Sequence, residues 1–277
     1  METFWDLLSY PRLCGLLARK PTRLGQAMHN AGFAELGLPF AYVAFDTEDT
    51  AHALDTMRRL GFRGFSLTIP HKETALPLLD ECSREASVIG AVNTVVNSGK
   101  SLFGENTDWI GVRDSLLEAR VEVRGKDALM FGAGGAARAG IFALKEMGAR
   151  RIVVCNRTPE RANALALQFG VEAAPFESLA PQEFSLIINS TPLGSHLDAG
   201  PNPLELFYQR KAAALPAYFE MVTRDTPLLA KVRECGAPAV SGSRMLLYQA
   251  LEQFRLFTGT PAPKAAMERA LADELRR

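Results

Sequence analysis

The stretch DALMFGAGGAA, residues 127–137, joins an apolar run to a glycine-rich turn. DALMF is typical of a buried strand, and GAGGAA at 132–137 fits the pattern G-x-G-x-x-A at the start of a helix. Glycines in such a turn let the backbone approach a pyrophosphate, whose charge then lies against the positive end of the helix dipole. The stretch therefore predicts a dinucleotide site, although a tight turn without a ligand fits the same pattern. The expected contacts are Gly132, Ala133, Gly134, Gly135 and Ala136.

The next predicted strand ends in a run that indicates which dinucleotide is bound. IVVCNRTPER, residues 152–161, lies about 20 residues further on, where the dinucleotide-binding fold places the group that contacts the adenosine ribose. An acidic residue there would bind the ribose hydroxyls of NAD, whereas Arg157 can donate two charge-assisted bonds to a 2′-phosphate. Three neighbours can add donors: Asn156, Thr158 and Arg161. The run predicts NADP, and the alternative is a solvated surface at a helix start.

Strand-like and helix-like patterns alternate on both sides of this region. From residue 40 onward, FAYVAF and GFSLTI predict strands, and AVNTVV and SLFGEN predict a hairpin around the turn at 97–100. Helices are predicted around 54–60 and 110–117, at 135–147, 159–168 and 226–235, and twice after Ser243, with further strands at 151–155, 184–189 and 214–222. This rhythm predicts a second domain with a parallel sheet.

The composition indicates a folded protein with a small partner. The chain has 277 residues, of which 47% are apolar and 22% charged, which is enough for two domains of ordinary size. Its 31 basic residues balance 31 acidic ones, so no basic field favours nucleic acid or a membrane surface. We therefore expect a small-molecule partner, no nucleic acid and no membrane.

The cysteines and the N-terminal residues favour a cytoplasmic protein. METFWDLLSYPR, residues 1–12, has acids before a short apolar run and no small-residue cleavage site, and no apolar stretch reaches ~20 residues. The four cysteines are far apart and lack CxxC spacing, which argues against a disulfide framework or zinc, and we interpret them as small buried residues: Cys14, Cys82, Cys155 and Cys235. No metal is expected, because three of the four histidines lack the spacing of metal ligands: His29, His52 and His196.

Seven motifs together resemble the shikimate dehydrogenase family. They are SLTIPHKE (66–73), GAVNTV (90–95), ENTD (105–108), GAGGAAR (132–138), NRTPER (156–161), NSTPLG (189–194) and SGSRMLLYQA (241–250). They occur in family order over most of the chain, which makes the match far more specific than any single motif. The resemblance implies an NADP-dependent enzyme that oxidises shikimate or reduces 3-dehydroshikimate, in the chorismate pathway of aromatic amino acid biosynthesis.

The resemblance also implies a fold class and a domain organisation. The expected fold is α/β with two domains, in which residues 1–108 plus 242–277 form a substrate-binding and catalytic domain completed by the C-terminal helices. Residues 109–241 are expected to form an inserted Rossmann domain that binds NADP. The active site is expected in the cleft between the domains. The expected oligomeric state is a monomer or a homodimer.

Individual site residues follow from the motifs position by position. Lys72 matches the catalytic lysine, and Asp108 matches its carboxylate partner, which also contacts the substrate. The positions that match residues holding the substrate ring and its hydroxyls are Thr68, Asn93 and Gln249. The positions expected to flank the nicotinamide of the cofactor are Met221, Gly242 and Met245, and Thr191 is a further expected cofactor contact.

The chemistry of alcohol oxidation requires a proton-transfer pair. Hydride leaves carbon as a proton leaves oxygen, so a nearby group must take that proton and return it in the reverse reaction. A lysine ammonium can polarise the ketone oxygen, and a carboxylate can orient it. Without the motif around it, Lys72 after Pro70 would fit a surface residue at a helix start. We interpret His71 as a packing or hydrogen-bonding residue beside this lysine.

Three substrate-contact positions depart from the family pattern. Typical members carry Ser-x-Ser-Pro before HNxxF, whereas Arg23 and Gly25 stand at the serine positions before HNAGF (29–33). Members usually have Asp-x-x-Tyr before a Thr-Pro pair, whereas this chain has EMVTRDTP, beginning with Glu220, and Ser66 replaces a common Asn. These changes indicate a divergent, shikimate dehydrogenase-like member that keeps the reaction type and acts on shikimate or a close cyclic polyol carboxylate such as quinate.

Two arrangements of Arg23 remain open. A side chain that points inward can grip the substrate carboxylate bidentately, beside the hydroxyl of Thr22. A side chain that points outward, in a solvated loop, leaves Thr22 alone to bind the carboxylate.

A second class of function uses the same residues. The chain could bind NADP or a shikimate-like ligand and regulate or scavenge it with little turnover. The presence of Lys72, Asp108 and Asn93 together favours the enzyme, because binding alone gives no reason for a proton-transfer pair.

Overall fold

The computed structural model describes residues 12–195, 198–208 and 215–277. His196 and nearly all of METFWDLLSYPR lie outside these ranges. The chain forms two compact units, one with the residues up to Thr107 together with Gln249–Arg277, the other with Asp108–Tyr248. Each unit combines strands with helices, which confirms the predicted α/β fold class.

Strands and helices are numbered in chain order. The strands are β1 Arg12–Ala18, β2 Phe40–Asp46, β3 Gly64–Leu67, β4 Glu81–Cys82, β5 Thr94–Asn97, β6 Leu102–Glu105, β7 Asp127–Phe131, β8 Arg151–Cys155, β9 Glu172–Ala173, β10 Leu186–Asn189, β11 Ala217–Glu220 and β12 Ala239–Val240. The α-helices are α1 Leu24–Glu35, α2 Thr50–Arg59, α3 His71–Thr74, α4 Arg84–Ile89, α5 Asp108–Glu118, α6 Gly135–Glu146, α7 Pro159–Phe169, α8 Pro227–Glu234, α9 Gly242–Thr258 and α10 Lys264–Leu275. Short 3-10 helices lie at Leu76–Leu78, Phe176–Ser178, Pro181–Glu183 and Pro203–Tyr208.

The first unit contains a mixed sheet with the strand order β2-β1-β3-β5-β6-β4. Strand β1 pairs in parallel with β2 and β3, whereas β5 is antiparallel to both β3 and β6. The pairing of Asn97 with Leu102 confirms the predicted hairpin. Helix α10 packs on α1, so the C-terminal residues complete the N-terminal part of this unit.

Strand β1 and helix α1 have no counterpart among the sequence predictions. Strand β1 lies between β2 and β3, so its run LCGLLA is mostly buried and lacks the alternation of a half-exposed strand. A short apolar run of this kind is hard to distinguish from a helical segment. Gly15 within it is required by packing, because an added Cβ would lie 2.7 Å from Cε2 of Phe45.

The HNAGF motif fixes helix α1 against the edge strand β2. The ring of His29 stacks on Tyr42 with 4.2 Å between the centroids, and its Nδ1 lies 2.9 Å from the carbonyl oxygen of Gly25. Burial lowers the pKa of His29 to about 4. Asn30 accepts a hydrogen bond from the Tyr42 N–H at 2.8 Å and donates one to the Tyr42 carbonyl at 3.0 Å. The motif therefore satisfies backbone groups at an open sheet edge.

The second unit contains a parallel sheet with the order β12-β11-β10-β7-β8-β9. This is the order of a doubly wound dinucleotide-binding fold, in which ligands bind at the carboxyl ends of the strands, where the chain order reverses. The reversal here lies between β7 and β10. Strand β8 matches its predicted range, and β10, β11, α6, α7 and α8 begin and end within three residues of theirs. The predicted parallel sheet is thus confirmed.

The cysteines differ in burial. Cys14 and Cys155 are buried, as predicted, and desolvation raises the pKa of the two thiols to about 12 and about 11. Cys82 is half-buried, and Cys235 is exposed, so the prediction of a buried residue is wrong for Cys235. This cysteine directly follows the last residue of α8 and precedes Gly236, whose φ of +77° turns the chain at the helix end.

Two features that would point to other functional classes are absent from the described residues. No helix there combines the length and the apolar character that crossing a membrane requires. No group of three or more His, Cys, Asp or Glu side chains in those ranges could hold a metal ion.

Candidate functional site

The glycine-rich turn after β7 is held tightly at the point where the strand order reverses. Gly132 has a φ of +111°, and its N–H donates to the Cys155 carbonyl at 2.8 Å. An added Cβ would lie 2.3 Å from Oγ of Ser190, so glycine is required at this position. The turn is therefore bounded by the ends of β8 and β10.

Helix α6 begins with backbone N–H groups available to an anion. Its N-cap residue, Gly134, is extended and provides no side-chain hydrogen bond to the helix. An added Cβ on Gly134 would meet nothing within 4 Å, which leaves room at the helix start. Glycine at this place and the positive end of the helix dipole suit a pyrophosphate. Ala133, Gly135 and Ala136 are half-buried around this point.

The end of β8 presents two arginines to solvent. Arg157 and Arg161 are exposed, and among the described residues neither forms a salt bridge. By contrast Arg151, at the other end of the strand, pairs with Glu172 at 2.9 Å. Two unpaired guanidinium groups beside a helix start can bind a phosphate dianion.

The nearby side chains of the same motif are consistent with this geometry. Nδ2 of Asn156 donates to the Thr158 carbonyl at 3.0 Å, which shapes the turn between β8 and α7. Thr158 is the exposed N-cap residue of α7. The residues present therefore fit the 2′-phosphate of NADP better than the two ribose hydroxyls of NAD.

Contacts around the ends of β10 and β11 link three of the predicted cofactor-binding positions. The N–H and the hydroxyl of Thr191 both donate to Oδ1 of Asn189, at 3.0 and 2.7 Å. The N–H of Met221 donates to the Asn189 carbonyl at 2.9 Å. Gly242 lies against Val222, the residue after Met221, because an added Cβ on Gly242 would be 2.3 Å from the Val222 carbonyl oxygen. Met245 is buried one turn into α9.

Polar groups of the first unit form a buried cluster. The N–H of Thr107 donates to Oδ1 of Asn93 at 2.7 Å, and Nδ2 of Asn93 donates to Oγ1 of Thr107 at 3.0 Å. Oε1 of Gln249 lies 3.4 Å from the same Nδ2. The structure thus brings together Asn93 and Gln249, two of the residues predicted to hold the substrate. Thr107 was not predicted, although it stands within the ENTD motif.

Gln253 supports this cluster and was also missed. Its Nε2 donates to Oγ1 of Thr94 at 3.0 Å and to the Asn93 carbonyl at 3.3 Å, and its Oε1 accepts from the Ser66 hydroxyl at 2.8 Å. The four-residue spacing from Gln249 places both amides on one face of α9, which is a signal that the sequence contains. Ser66, which replaces the common Asn, is therefore part of a satisfied network.

His71 is a fixed structural residue beside Lys72. Its ring is fully buried, with Nδ1 2.8 Å from Oγ1 of Thr50 and Nε2 2.9 Å from the Thr47 carbonyl oxygen. A carbonyl only accepts, so Nε2 carries the proton and Nδ1 accepts from the threonine hydroxyl. Both ring nitrogens are occupied, which confirms the interpretation of His71 as a hydrogen-bonding residue.

Two backbone bonds fix the segment that carries Lys72. The N–H of His71 donates to the Thr68 carbonyl, and the N–H of Val92 donates to the Lys72 carbonyl, both at 2.8 Å. The side chains of Thr68 and Lys72 are half-buried. The lysine therefore extends from a rigid backbone beside β5.

Asp108 begins helix α5 and is 5% exposed. The positive end of the helix dipole favours a negative side chain at this position. Asn106, two residues before Asp108, donates from Nδ2 to the Ala91 carbonyl at 2.9 Å, which fixes the chain just before the helix. Lys72 lies in the first unit and Asp108 is the first residue of the second, and their catalytic pairing stays a prediction.

Thr22 and Arg23 lie between β1 and α1. Both are exposed, and Arg23 is the N-cap residue of α1 without a side-chain cap bond. Exposure is compatible with either predicted arrangement of this arginine, so both stay open.

Comparison with known proteins places these elements in one family. Three family models match in order: the shikimate dehydrogenase substrate binding domain over residues 23–95, shikimate / quinate 5-dehydrogenase over 115–197, and the shikimate 5′-dehydrogenase C-terminal domain over 242–272. A shikimate dehydrogenase (NADP(+)) from Moorella thermoacetica is 40% identical over 266 residues, which cover 91% of this chain and 89% of that protein. The chain belongs to the shikimate dehydrogenase family. The predicted resemblance is thereby confirmed.

Solved structures of family members share the fold over nearly the whole chain. Shikimate 5-dehydrogenase from Thermus thermophilus, in complex with NADP(H) and shikimate, is 39% identical with a TM-score of 0.85, covering 95% of this chain and 99% of that one. Quinate dehydrogenase from Corynebacterium glutamicum, in complex with NAD, is 28% identical with a TM-score of 0.86, covering 95% of this chain and 99% of that one. The family therefore includes members with different substrates and cofactors.

Proposed function

We propose that this chain is an NADP-dependent oxidoreductase that interconverts shikimate and 3-dehydroshikimate. The observation that carries the proposal is the buried cluster of Asn93, Thr107 and Gln249, whose amide and hydroxyl groups suit a ring with several hydroxyls. The relative from Moorella thermoacetica, named for this reaction, supports the same substrate.

NADP is the cofactor that the second unit fits. Gly132 and the start of α6 would hold the pyrophosphate, and Arg157 and Arg161 would hold the 2′-phosphate. Further contacts are proposed for Ala133, Gly134, Gly135, Ala136, Asn156, Thr158 and Thr191, and beside the nicotinamide for Met221, Gly242 and Met245. When bound, NADP supplies the hydride acceptor of the oxidation and the hydride donor of the reduction.

Lys72 and Asp108 are the proposed proton-transfer pair. In the oxidation, the neutral amine of Lys72 accepts the hydroxyl proton while the ring carbon loses hydride. In the reduction, the ammonium returns that proton to the ketone oxygen. Asp108 orients the lysine and the reacting hydroxyl. His71 stays outside proton transfer because both of its ring nitrogens are engaged.

The remaining substrate contacts divide between the ring and its carboxylate. Thr68, Asn93 and Gln249 would bind ring hydroxyls. Thr22 and Arg23 would bind the carboxylate, and an inward Arg23 would replace two neutral hydroxyl donors with one charged fork. The chain is further proposed to work in the cytoplasm as a monomer or a homodimer.

Two other functions are outcomes of the same test. A quinate dehydrogenase is a second candidate, because a solved relative of high structural similarity acts on quinate. The lack of an acid beside Arg157 argues against NAD as the cofactor. The third candidate is a paralogue that binds NADP or a shikimate-like ligand with little turnover.

The test is a spectrophotometric panel of shikimate and quinate, each with NADP and with NAD. The proposal expects the highest kcat/KM for shikimate with NADP. Faster turnover of quinate in either cofactor series would contradict the substrate assignment. NADP binding without turnover of either acid would support the regulatory paralogue.

A further inference from the structure

The carboxyl group of Glu220 is fully buried at the carboxyl end of β11. Its Oε2 accepts from the hydroxyls of Tyr218 and Thr226, at 2.8 and 3.0 Å. Its Oε1 accepts from Nδ2 of Asn189 at 3.2 Å and from the N–H of Val222 at 3.3 Å. Four donors thus surround one carboxyl group.

None of these partners carries a positive charge. Among the described residues Glu220 forms no salt bridge, and its donors are an amide, a backbone N–H and two hydroxyls. Burial raises the pKa of the Glu220 carboxyl, while the hydrogen bonds oppose that shift. The two oxygens together face two N–H donors and two hydroxyls, and the ionised carboxylate can accept from all four. A buried, unneutralised charge is costly, so its presence calls for a reason.

Glu220 is connected to three segments that are proposed to contact the cofactor. Asn189, its partner across β10 and β11, accepts both hydrogen bonds of Thr191. Met221 is the next residue in the chain, and Gly242 lies against the backbone of Val222. With the proposed cofactor contacts, the Glu220 carboxyl therefore lies at the end of the site where the two forms of the cofactor differ.

We propose that the buried negative charge of Glu220 favours the oxidised cofactor over the reduced one at this site. The inference rests on the proposed function, which places Met221 and Gly242 beside the nicotinamide and Thr191 among the cofactor contacts. The oxidised ring carries a positive charge and the reduced ring is neutral, while the rest of the cofactor is the same. A fixed charge in a protected region acts on that difference. If Glu220 acted only through its hydrogen bonds to the protein, it would stabilise the binding of the oxidised and the reduced cofactor equally.

The test variant is Glu220→Gln, which removes the charge and keeps the shape. The amide oxygen can still accept from Asn189 and Val222, and the amide nitrogen can donate to the hydroxyls of Tyr218 and Thr226, which rotate to accept. The dissociation constants of NADP+ and NADPH are measured by calorimetry and by NADPH fluorescence, in mildly alkaline buffer. We expect NADP+ to bind about three- to thirtyfold more weakly and NADPH to change less than twofold.

Matched controls separate charge from structure. Tyr218→Phe removes a hydrogen bond to Glu220 but keeps its charge, so the ratio of the two dissociation constants should stay within twofold of the wild-type ratio. Asp127→Asn removes a carboxylate that pairs with Arg150 at the amino end of β7, whereas Glu220 lies at the carboxyl end of β11 in the same parallel sheet, so the ratio should also stay unchanged. The fragment 2′-phospho-ADP-ribose lacks the nicotinamide and should bind Glu220→Gln as it binds the wild type.

The cofactor-binding measurements on Glu220→Gln can fail or succeed independently of the substrate panel that tests the proposed function. A tenfold change in the ratio corresponds to about 30 mV in the potential of the bound cofactor. An unchanged ratio in Glu220→Gln, or an equal loss for both forms, would overturn the inference even if the chain oxidises shikimate. A changed ratio would support it even if the preferred substrate proved to be quinate, because only cofactor binding is measured.

Discussion

Arg157 is the residue that most directly decides between the two nicotinamide cofactors. A charge-assisted hydrogen bond is worth about 1.5–3 kcal/mol, so Arg157→Ala should weaken NADP binding by at least about tenfold and leave NAD binding nearly unchanged. Calorimetric titration with each cofactor provides the measurement. Arg151→Ala is the matched control, because Arg151 lies at the start of β8, the strand that Arg157 follows, and pairs with Glu172 and Glu183. Equal losses for NADP and NAD in Arg157→Ala would contradict the assignment of this arginine to the 2′-phosphate.

Lys72 and Asp108 should behave as one catalytic unit. General acid–base groups usually contribute ~10²-fold or more, so Lys72→Ala and Asp108→Ala should each lower kcat by about that factor with NADP binding retained. The double variant should be little worse than either single variant, because groups that act together are not additive. Steady-state kinetics and NADP titration of the three variants provide the measurement. Near-normal kcat in Lys72→Ala would remove the lysine from the mechanism.

Arg23 tests how the chain compensates for the missing serines. If the arginine binds the substrate carboxylate, Arg23→Ala should raise KM for shikimate by about ten- to a hundredfold, and Arg23→Ser should restore part of the loss. Arg19→Ala is the control, because Arg19 is an exposed arginine nearby that pairs with Glu48. An unchanged KM in Arg23→Ala would assign the carboxylate to Thr22 alone.

At the ends of β10 and β11, ionisation of the buried Glu220 carboxyl lowers the free energy of unfolding. Because the pKa of Glu220 is raised in the folded state, ionisation costs folding free energy, and that cost grows as the pH rises through the raised pKa. The free energy of unfolding of Glu220→Gln, relative to wild type, should therefore increase as the pH rises from the ordinary pKa of a glutamate to the raised one, and level off above it. Urea denaturation of both proteins over a pH series measures this difference. A difference independent of pH would show that the carboxyl ionises alike in the folded and unfolded chains.

At the level of elements, prediction worked where pattern and position agreed. Strand β8 is bounded by a glycine turn and a helix start, and its apolar run has the length of a buried strand, so its range could be read from the sequence. Strand β1 could not, because its short and mostly buried apolar run has no periodicity to distinguish it from a helix. The side chain of Gln253 was missed because a buried amide is recognised by its partners in space, although its spacing from Gln249 was visible.

At the level of the whole molecule, the order of motifs predicted more than any motif alone. The glycine turn and the arginines after β8 could be derived from physical chemistry, since they concern a local strand, turn and helix. The substrate residues could not, because Asn93 and Gln249 come from distant parts of the chain and converge only on folding. Their assignment depended on the family resemblance, which the matches over nine-tenths of the chain confirm.

The central claim is that the chain moves hydride between a ring carbon of shikimate and NADP. The most direct measurement uses shikimate deuterated at carbon 3, with mass spectrometry of the reduced cofactor, in the wild type and in Lys72→Ala. The account predicts one deuterium on the nicotinamide for each 3-dehydroshikimate formed by the wild type, and ~10²-fold slower transfer in the variant. Reduced cofactor without deuterium, or no reduced cofactor while NADP is bound, would contradict it.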